Sequence, residues 1–157
     1  MKLALPDAAT TEHAGAMLAP HLAGGMVVTL DGDLGAGKTT LVRGLLRARG
    51  VQGPIKSPTF DLVEHYPLSS IYFYHIDLYR FTNADEWEQS GLSECFRADS
   101  VCLVEWPSRA AGLLPDPDLA LVLAWPAHGE GRTLAPRAFS AAGERCRDAL
   151  SAALAHA

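Results

Sequence analysis

Several scarcities in this sequence each remove a class of protein. Only three cysteines occur, Cys95, Cys102 and Cys146, with neither CxxC nor metal-ligand spacing. That excludes a disulfide scaffold and a thiolate zinc site, and it fits buried thiols in a reducing cytosol. No apolar run nears the ~20 residues that a membrane helix needs. The opening Met1-Lys2-Leu3-Ala4-Leu5 breaks at Pro6-Asp7, too early for a signal peptide. The cytoplasm is therefore the expected compartment. Basic residues are few, with Lys and Arg totalling 13 against 18 Asp and Glu, a formal net charge of −5. Tight nucleic-acid binding rests on many Lys/Arg–phosphate contacts, so this balance argues against it for the chain alone, a local basic patch aside. Asparagine occurs once, at Asn83 before Ala84, and DxxG not at all, so the guanine-reading and switch motifs of regulatory GTPases are missing. The six histidines show no metal-ligand spacing either.

What remains is ordinary globular material, 48% hydrophobic and 20% charged over 157 residues, enough for one domain with its own core. Thr10 to Leu22 has helical spacing, with Ala14, Met17, Leu18 and Leu22 on one face and Gly24-Gly25 as its stop. Met26 to Leu30 is a short β-branched run of the kind buried on both faces of a sheet. Lys38 to Arg49 predicts a helix that turns Leu41, Val42, Leu45 and Leu46 inward and stops at Gly50. Ile71 to Ile76 predicts a strand, hairpinned to Asp61–Tyr66, and Val101 to Val104 another buried one. Asn83 with Glu86 reads as a capping box. Leu119–Trp125 and Thr133–Phe139 read as a late hairpin, and Gly143–Ala155 as a closing helix. Alternation of strands and helices predicts an α/β fold with a parallel core and antiparallel additions, flanked by helices.

Between the Met26–Leu30 strand and the Lys38 helix stands Gly32-Asp33-Leu34-Gly35-Ala36-Gly37-Lys38-Thr39. Backbone N–H groups of a tight loop at a helix start hold phosphate oxygens, and the helix dipole adds positive potential. Gly35, Ala36, Gly37, Lys38, Thr39 and Thr40 are the residues placed to do so. Lys38 is set to reach the β- and γ-phosphates and Thr39 to ligate Mg²⁺. Chance would produce GxxxxGK[ST] in roughly one such chain in four hundred, before the strand–loop–helix context is counted. The chain uses arginine ten times and lysine three times, yet a lysine stands at position 38, where a compact ammonium suits the cradle better than a planar guanidinium.

In open α/β sheets the ligand sits at the carboxyl ends of the strands. Two predicted strands end there in an acid, Asp77 and Glu105. Mg²⁺ takes one or two protein carboxylates besides phosphate and water, and hydrolysis needs a group that orients water. One acid thus serves the metal and the other the water, and spacing alone does not assign them. His75 shares the strand face of Asp77; it reads first as a packed strand histidine and second as a support for the metal ligands. Trp106 reads as a core anchor or as an aromatic wall near nucleotide or partner. Arg43 and Arg47 read as a solvated face near the helix C-terminus, with docking of a partner or nucleic acid as the alternative. Arg132 is a weak candidate for nucleotide contact.

Taken in order, GDLGAGKTT at residues 32–40, Lys56-Ser57-Pro58-Thr59-Phe60, His75-Ile76-Asp77-Leu78-Tyr79-Arg80 and Leu103-Val104-Glu105-Trp106-Pro107 resemble the TsaE family. These are the small ATPases of bacterial tRNA threonylcarbamoyladenosine biosynthesis. The resemblance runs from about Leu5 to Trp125 and assigns nothing to the tail. It implies slow ATP hydrolysis with Mg²⁺ held by Thr39 and the Walker B-like Glu105. It also implies support of hydrolysis by Asp77, with Lys38 in the catalytic set. A switch-like segment at Ser57, Pro58, Thr59 and Phe60 is implied, as is action with a TsaB–TsaD pair that meets tRNA for the chain. Phe60-Asp61 departs from the aromatic–Thr pair of many members. A small-molecule kinase using the same loop is the alternative; it would need an acceptor pocket and an arginine-bearing lid, and Ser108–Gly112 offers one arginine.

Overall fold

The structure, a computed structural model, describes residues 1–58 and 62–155. Its centre is β2 (Val27–Asp31), flanked by parallel β5 (Ser100–Glu105) on one side and parallel β6 (Leu119–Ala124) on the other. Beyond β5 lie parallel β4 (Tyr72–Asp77) and antiparallel β3 (Val63–Pro67). Beyond β6 lie antiparallel β7 (Arg132–Ala138) and β1 (Leu3–Leu5). The seven-stranded order is β1-β7-β6-β2-β5-β4-β3, so the predicted parallel core with antiparallel additions is what forms. All six residues of β5 are buried, as a parallel strand covered on both faces requires. In β6 only alternate residues are buried, and Val122 and Ala124 stand exposed on the other face.

Three helices cover one face: α1 (Ala8–Leu18), α2 (Lys38–Ala48) and α4 (Ala141–Leu154). Leu18, Leu41, Leu45 and Leu150 pack there with Leu30, Leu103 and Leu121 in the larger core. α3 (Ala84–Ser90) and short 3₁₀ turns cover the opposite face over β4 and β5. There Ile76, Leu78, Trp87, Leu92 and Val104 form a second core.

α1 and α2 cross at very short range because both are glycine at the crossing. A Cβ on Gly15 would lie 2.0 Å from the Leu41 carbonyl oxygen, and one on Gly44 would lie 2.0 Å from that of Glu12. Arg43, expected on a solvated face, reaches across this crossing to Glu12 at 3.7 Å, and exposed Arg47 donates to the Val51 carbonyl.

Some expected bounds shift for local reasons. The first helix begins at Ala8 because Asp7 caps it, accepting from Thr10 N at 2.7 Å. It gives way to a 3₁₀ turn at Ala19–His21 around Pro20. β1 was not anticipated at all, and β6 ends at Ala124 with Trp125 outside it. The hairpin to β4 is present but starts at Val63; Asp61 lies outside the described residues. Only half of the expected capping box forms: Asn83 accepts from Glu86 N at 3.0 Å, but Glu86 accepts from Thr82 N rather than from the cap.

Cys102 and Cys146 are buried and Cys95 half-buried, all three free. Burial pushes the Cys102 thiol up to about 12 and the Cys146 thiol to about 11. Among the described residues no helix is long and apolar enough to cross a membrane.

Candidate nucleotide site

β2 delivers the chain to the loop, and the loop's tight turns are glycine-made. Gly37 adopts φ 105° as the residue that precedes α2, and no side chain caps the helix. The first bond that closes a turn of α2 runs from Leu41 N to the Gly37 carbonyl at 3.0 Å. The N–H groups of Lys38, Thr39 and Thr40 precede it, the unpaired donors of a helix start. A bare, positively polarised helix end is what an anion needs. Gly32 is fixed at the other end of the loop, its N–H donating to Asp31 Oδ1 at 3.0 Å and its carbonyl accepting from Lys38 Nζ.

Lys38 is 5% exposed, so its charge is held inside the site. Its ammonium lies 3.8 Å from Glu105 Oε1 and 4.2 Å from the Trp106 ring centroid. A separation of 3.8 Å is well beyond the ~2.7–2.9 Å of a tight charge-assisted bond, so the cation faces the loop without being locked to the acid. β4 and β5 are parallel with Asp77 opposite Glu105, which brings both strand-end acids to the same place. Asp77 is 6% exposed and accepts from Tyr79 N at 2.9 Å. Burial raises its carboxyl above the usual range, a shift opposed by the Tyr79 bond and reinforced by Glu105. Behind them His75, buried as expected of a packed strand histidine, sets Nε2 2.6 Å from Glu105 Oε2.

A cleft of about 270 Å³ collects these groups: Gly35, Gly37, Lys38, Thr39 and Thr40 from the loop, Asp77 and Glu105 from the strand ends, and Ser57, Tyr79 and Trp106 at its rim. Trp106 joins the two readings offered for it. It packs half-buried against the second core, and its face carries the Lys38 ammonium, with Tyr79 5.0 Å away. Its left-handed backbone (φ 57°) turns the chain directly after Glu105. Ser57 belongs to this wall and Pro58 after it is buried, not part of the lining; Thr59 and Phe60 lie outside the described residues. Among the described residues no group of three or more His, Cys, Asp or Glu is assembled to hold an ion. Thr39, Glu105 and Asp77 offer the sparse oxygen set that suits Mg²⁺ shared with phosphate.

A second cleft of about 270 Å³ opens on the other side of the loop, lined by Leu5, Pro6, Asp7, Ala8, Thr11, Glu130, Gly131 and Arg132 and sharing Gly35, Gly37 and Thr40 with the first. Arg132 donates from Nε and Nη2 to the Gly35 carbonyl at 3.3 and 3.1 Å while its guanidinium lies 4.4 Å from the Trp125 ring centroid. It braces the loop from outside. Sequence reasoning missed this wall almost entirely, since its parts stand some 120 residues apart in the chain and only the β1–β7 pairing brings them together.

The family model described as threonylcarbamoyl adenosine biosynthesis protein TsaE matches residues 5–133. The tRNA threonylcarbamoyladenosine biosynthesis protein TsaE of Haemophilus influenzae is 47% identical over 103 residues, which are 66% of this chain and 65% of that one. The protein of the same name from Bacillus subtilis is 42% identical over 99 residues, 63% of this chain and 61% of its own length. The chain thus spans a little under two thirds of the length of these two curated relatives. That of Treponema pallidum is 37% identical over 116 residues, 74% of this chain and 85% of its own. The crystal structure of YdiB from Bacillus subtilis superposes with a TM-score of 0.80 at 29% identity, covering 98% of this chain and 95% of that one. With the loop, the paired acids and the sheet order already in place, the match over residues 5–133 shows that this chain belongs to the TsaE family.

Proposed function

We propose that this chain binds ATP with Mg²⁺, hydrolyses it slowly, and serves as the accessory ATPase of threonylcarbamoyl transfer to the tRNA adenosine next to the anticodon. It acts in the cytoplasm with a TsaB–TsaD pair. One observation carries the nucleotide reading: an uncapped helix start with a buried lysine at its first position, facing two strand-end carboxylates. In this reading the loop N–H groups and Lys38 bind the phosphates. Thr39 and Glu105 hold Mg²⁺, which when bound neutralises charge across the β- and γ-phosphates. Asp77 orients the attacking water, and the burial that raises its carboxyl also makes it a better proton acceptor. The cleft behind the loop takes ribose and base, with Arg132 keeping the shared Gly35 wall in place.

The partner half of the reading is supported by the family and by charge. A net charge of −5 suits action through proteins better than unaided binding to tRNA. Ser57 lines the phosphate end of the cleft; in this reading the order of Ser57 to Phe60 couples nucleotide to partner, as that of loops contacting a γ-phosphate does. The test is reconstituted threonylcarbamoyl transfer to tRNA under multiple-turnover conditions, with TsaB and TsaD from the same organism. Sustained modification should require this chain and ATP. Full modification without it refutes the accessory role, and ADP release that appears only with an added metabolite would mark a small-molecule kinase.

A further inference from the structure

We infer that His75 is a positioning residue for Glu105, fixing which carboxylate oxygen faces the metal and phosphate; this rests on the nucleotide–magnesium reading above. Glu105 divides its two oxygens. Oε2 lies 2.6 Å from His75 Nε2, and Oε1 lies on the side of Lys38, 3.8 Å from its ammonium. A carboxylate oxygen accepts, so Nε2 carries the hydrogen and donates. With Oε2 held, only Oε1 is offered to the cleft. Mg²⁺ demands near-octahedral geometry and tolerates a wandering ligand poorly, so a carboxylate held in one direction serves it better than a free one.

Packing alone does not account for this histidine. Two residues earlier on the same strand face stands Phe73, equally buried, which fills its space with no polar atom at all. His75 is 0% exposed, and among the described residues its Nδ1 has no hydrogen-bond partner. Leaving a buried polar atom bare costs free energy. Among the described residues the Glu105 bond is the one hydrogen bond this ring makes, and it is what offsets that cost.

Three substitutions test the inference. His75→Gln keeps an N–H donor at about the reach of Nε2; His75→Asn is equally polar but too short; His75→Phe fills the space without a donor. ADP affinity is measured by calorimetry with Mg²⁺ and again in EDTA, and Mn²⁺ binding to the ADP complex by electron paramagnetic resonance. His75→Gln should keep metal-dependent tightening within about threefold of wild type, whereas His75→Asn and His75→Phe should lose about tenfold or more of it. Affinity in EDTA should not change, because the loop and Lys38 are untouched. If Phe does not fold, the Gln and Asn pair carries the comparison. Wild-type metal dependence in His75→Asn, or a loss in His75→Gln as deep as in His75→Asn, overturns the inference. Absence of any metal-dependent tightening in the wild-type protein sinks the nucleotide–magnesium reading as well, so the two failures are distinguishable.

Discussion

Replacing Gly44 by alanine pits two effects of opposite sign against each other. In a helix interior alanine is better than glycine by about 0.8–1.0 kcal/mol. At this position, however, the new Cβ would stand 2.0 Å from the Glu12 carbonyl oxygen, 2.6 Å from its carbon and 2.7 Å from its Cα. These are backbone atoms of α1, so no rotamer change relieves the clash. Ordinary contact begins near 3.4 Å, so the helix crossing must open. Overpacking of this kind costs about 1–3 kcal/mol and sometimes more, and a clash with rigid backbone belongs at the upper end. The net is a loss of about 1–2 kcal/mol, or about 3–8 °C of melting temperature for a domain of this size. Opening the crossing also moves the start of α1, which carries Asp7, Ala8 and Thr11 to the cleft behind the loop, so nucleotide affinity should fall with stability. Gly15→Ala repeats the experiment from the other helix, where the Cβ would meet the Leu41 carbonyl at 2.0 Å. Once one substitution has opened the crossing the second has less to break, so the double variant should lose less than the sum. Calorimetric melting and ADP titration give both numbers. A Gly44→Ala protein that melts at or above the wild-type temperature would show that propensity wins and that the crossing is not under constraint.

Lys38→Ala should weaken ATP binding about 100-fold or more, since each lost hydrogen bond to a charged group is worth about 1.5–3 kcal/mol; wild-type affinity by calorimetry in a folded variant would refute the loop assignment. Asp77→Asn should lower phosphate release while raising the metal-free melting temperature at neutral pH. The folded carboxyl is raised, so the native state holds its proton where the unfolded one has lost it. Wild-type stability therefore falls as pH rises through that interval and stays lower above it. The asparagine advantage should vanish at pH below the ordinary carboxylate range; a variant less stable than wild type at neutral pH contradicts the sign. With a chromogenic disulfide reagent at mildly alkaline pH, half-buried Cys95 should react first. Cys102 and Cys146, pushed up to about 12 and about 11, should wait for denaturant, and equal rates for all three would refute that ordering.

The meeting of loop and acids in one cleft was legible in the sequence because its signals are local: Gly37, Lys38 and Thr39 are consecutive, and the acids announce themselves as the polar ends of apolar strands. β5 could be read because its buried run is long, and β4 because it is dense in aromatic and β-branched residues. β1 could not, since three residues with two leucines before Pro6 carry no periodicity that separates a strand from a loose terminus. The start of α1 was placed late because Asp7 caps it without a glutamate at the third position to complete a box. β6 was visible as half of a hairpin with β7, but its parallel pairing with β2 is a long-range choice that leaves no local trace. For the same reason the bracing of Gly35 by Arg132 and the division of the Glu105 oxygens by His75 appeared only once the strands were in register.

The pairing of Leu3 with Leu134 bears on how the molecule is made. A ribosome releases Leu5, Asp7 and Thr11 some 120 residues before their partners Glu130 to Arg132. The phosphate loop and its helix are complete long before. If the proposed nucleotide reading holds, nascent chains would meet phosphate before they could enclose a whole nucleotide, and the free energy of full binding would become available to folding only once β1 and β7 have paired. Ligand present during synthesis would then favour finished chains over truncated ones, with protease resistance in the presence of ATP rising steeply only for chains that include β7.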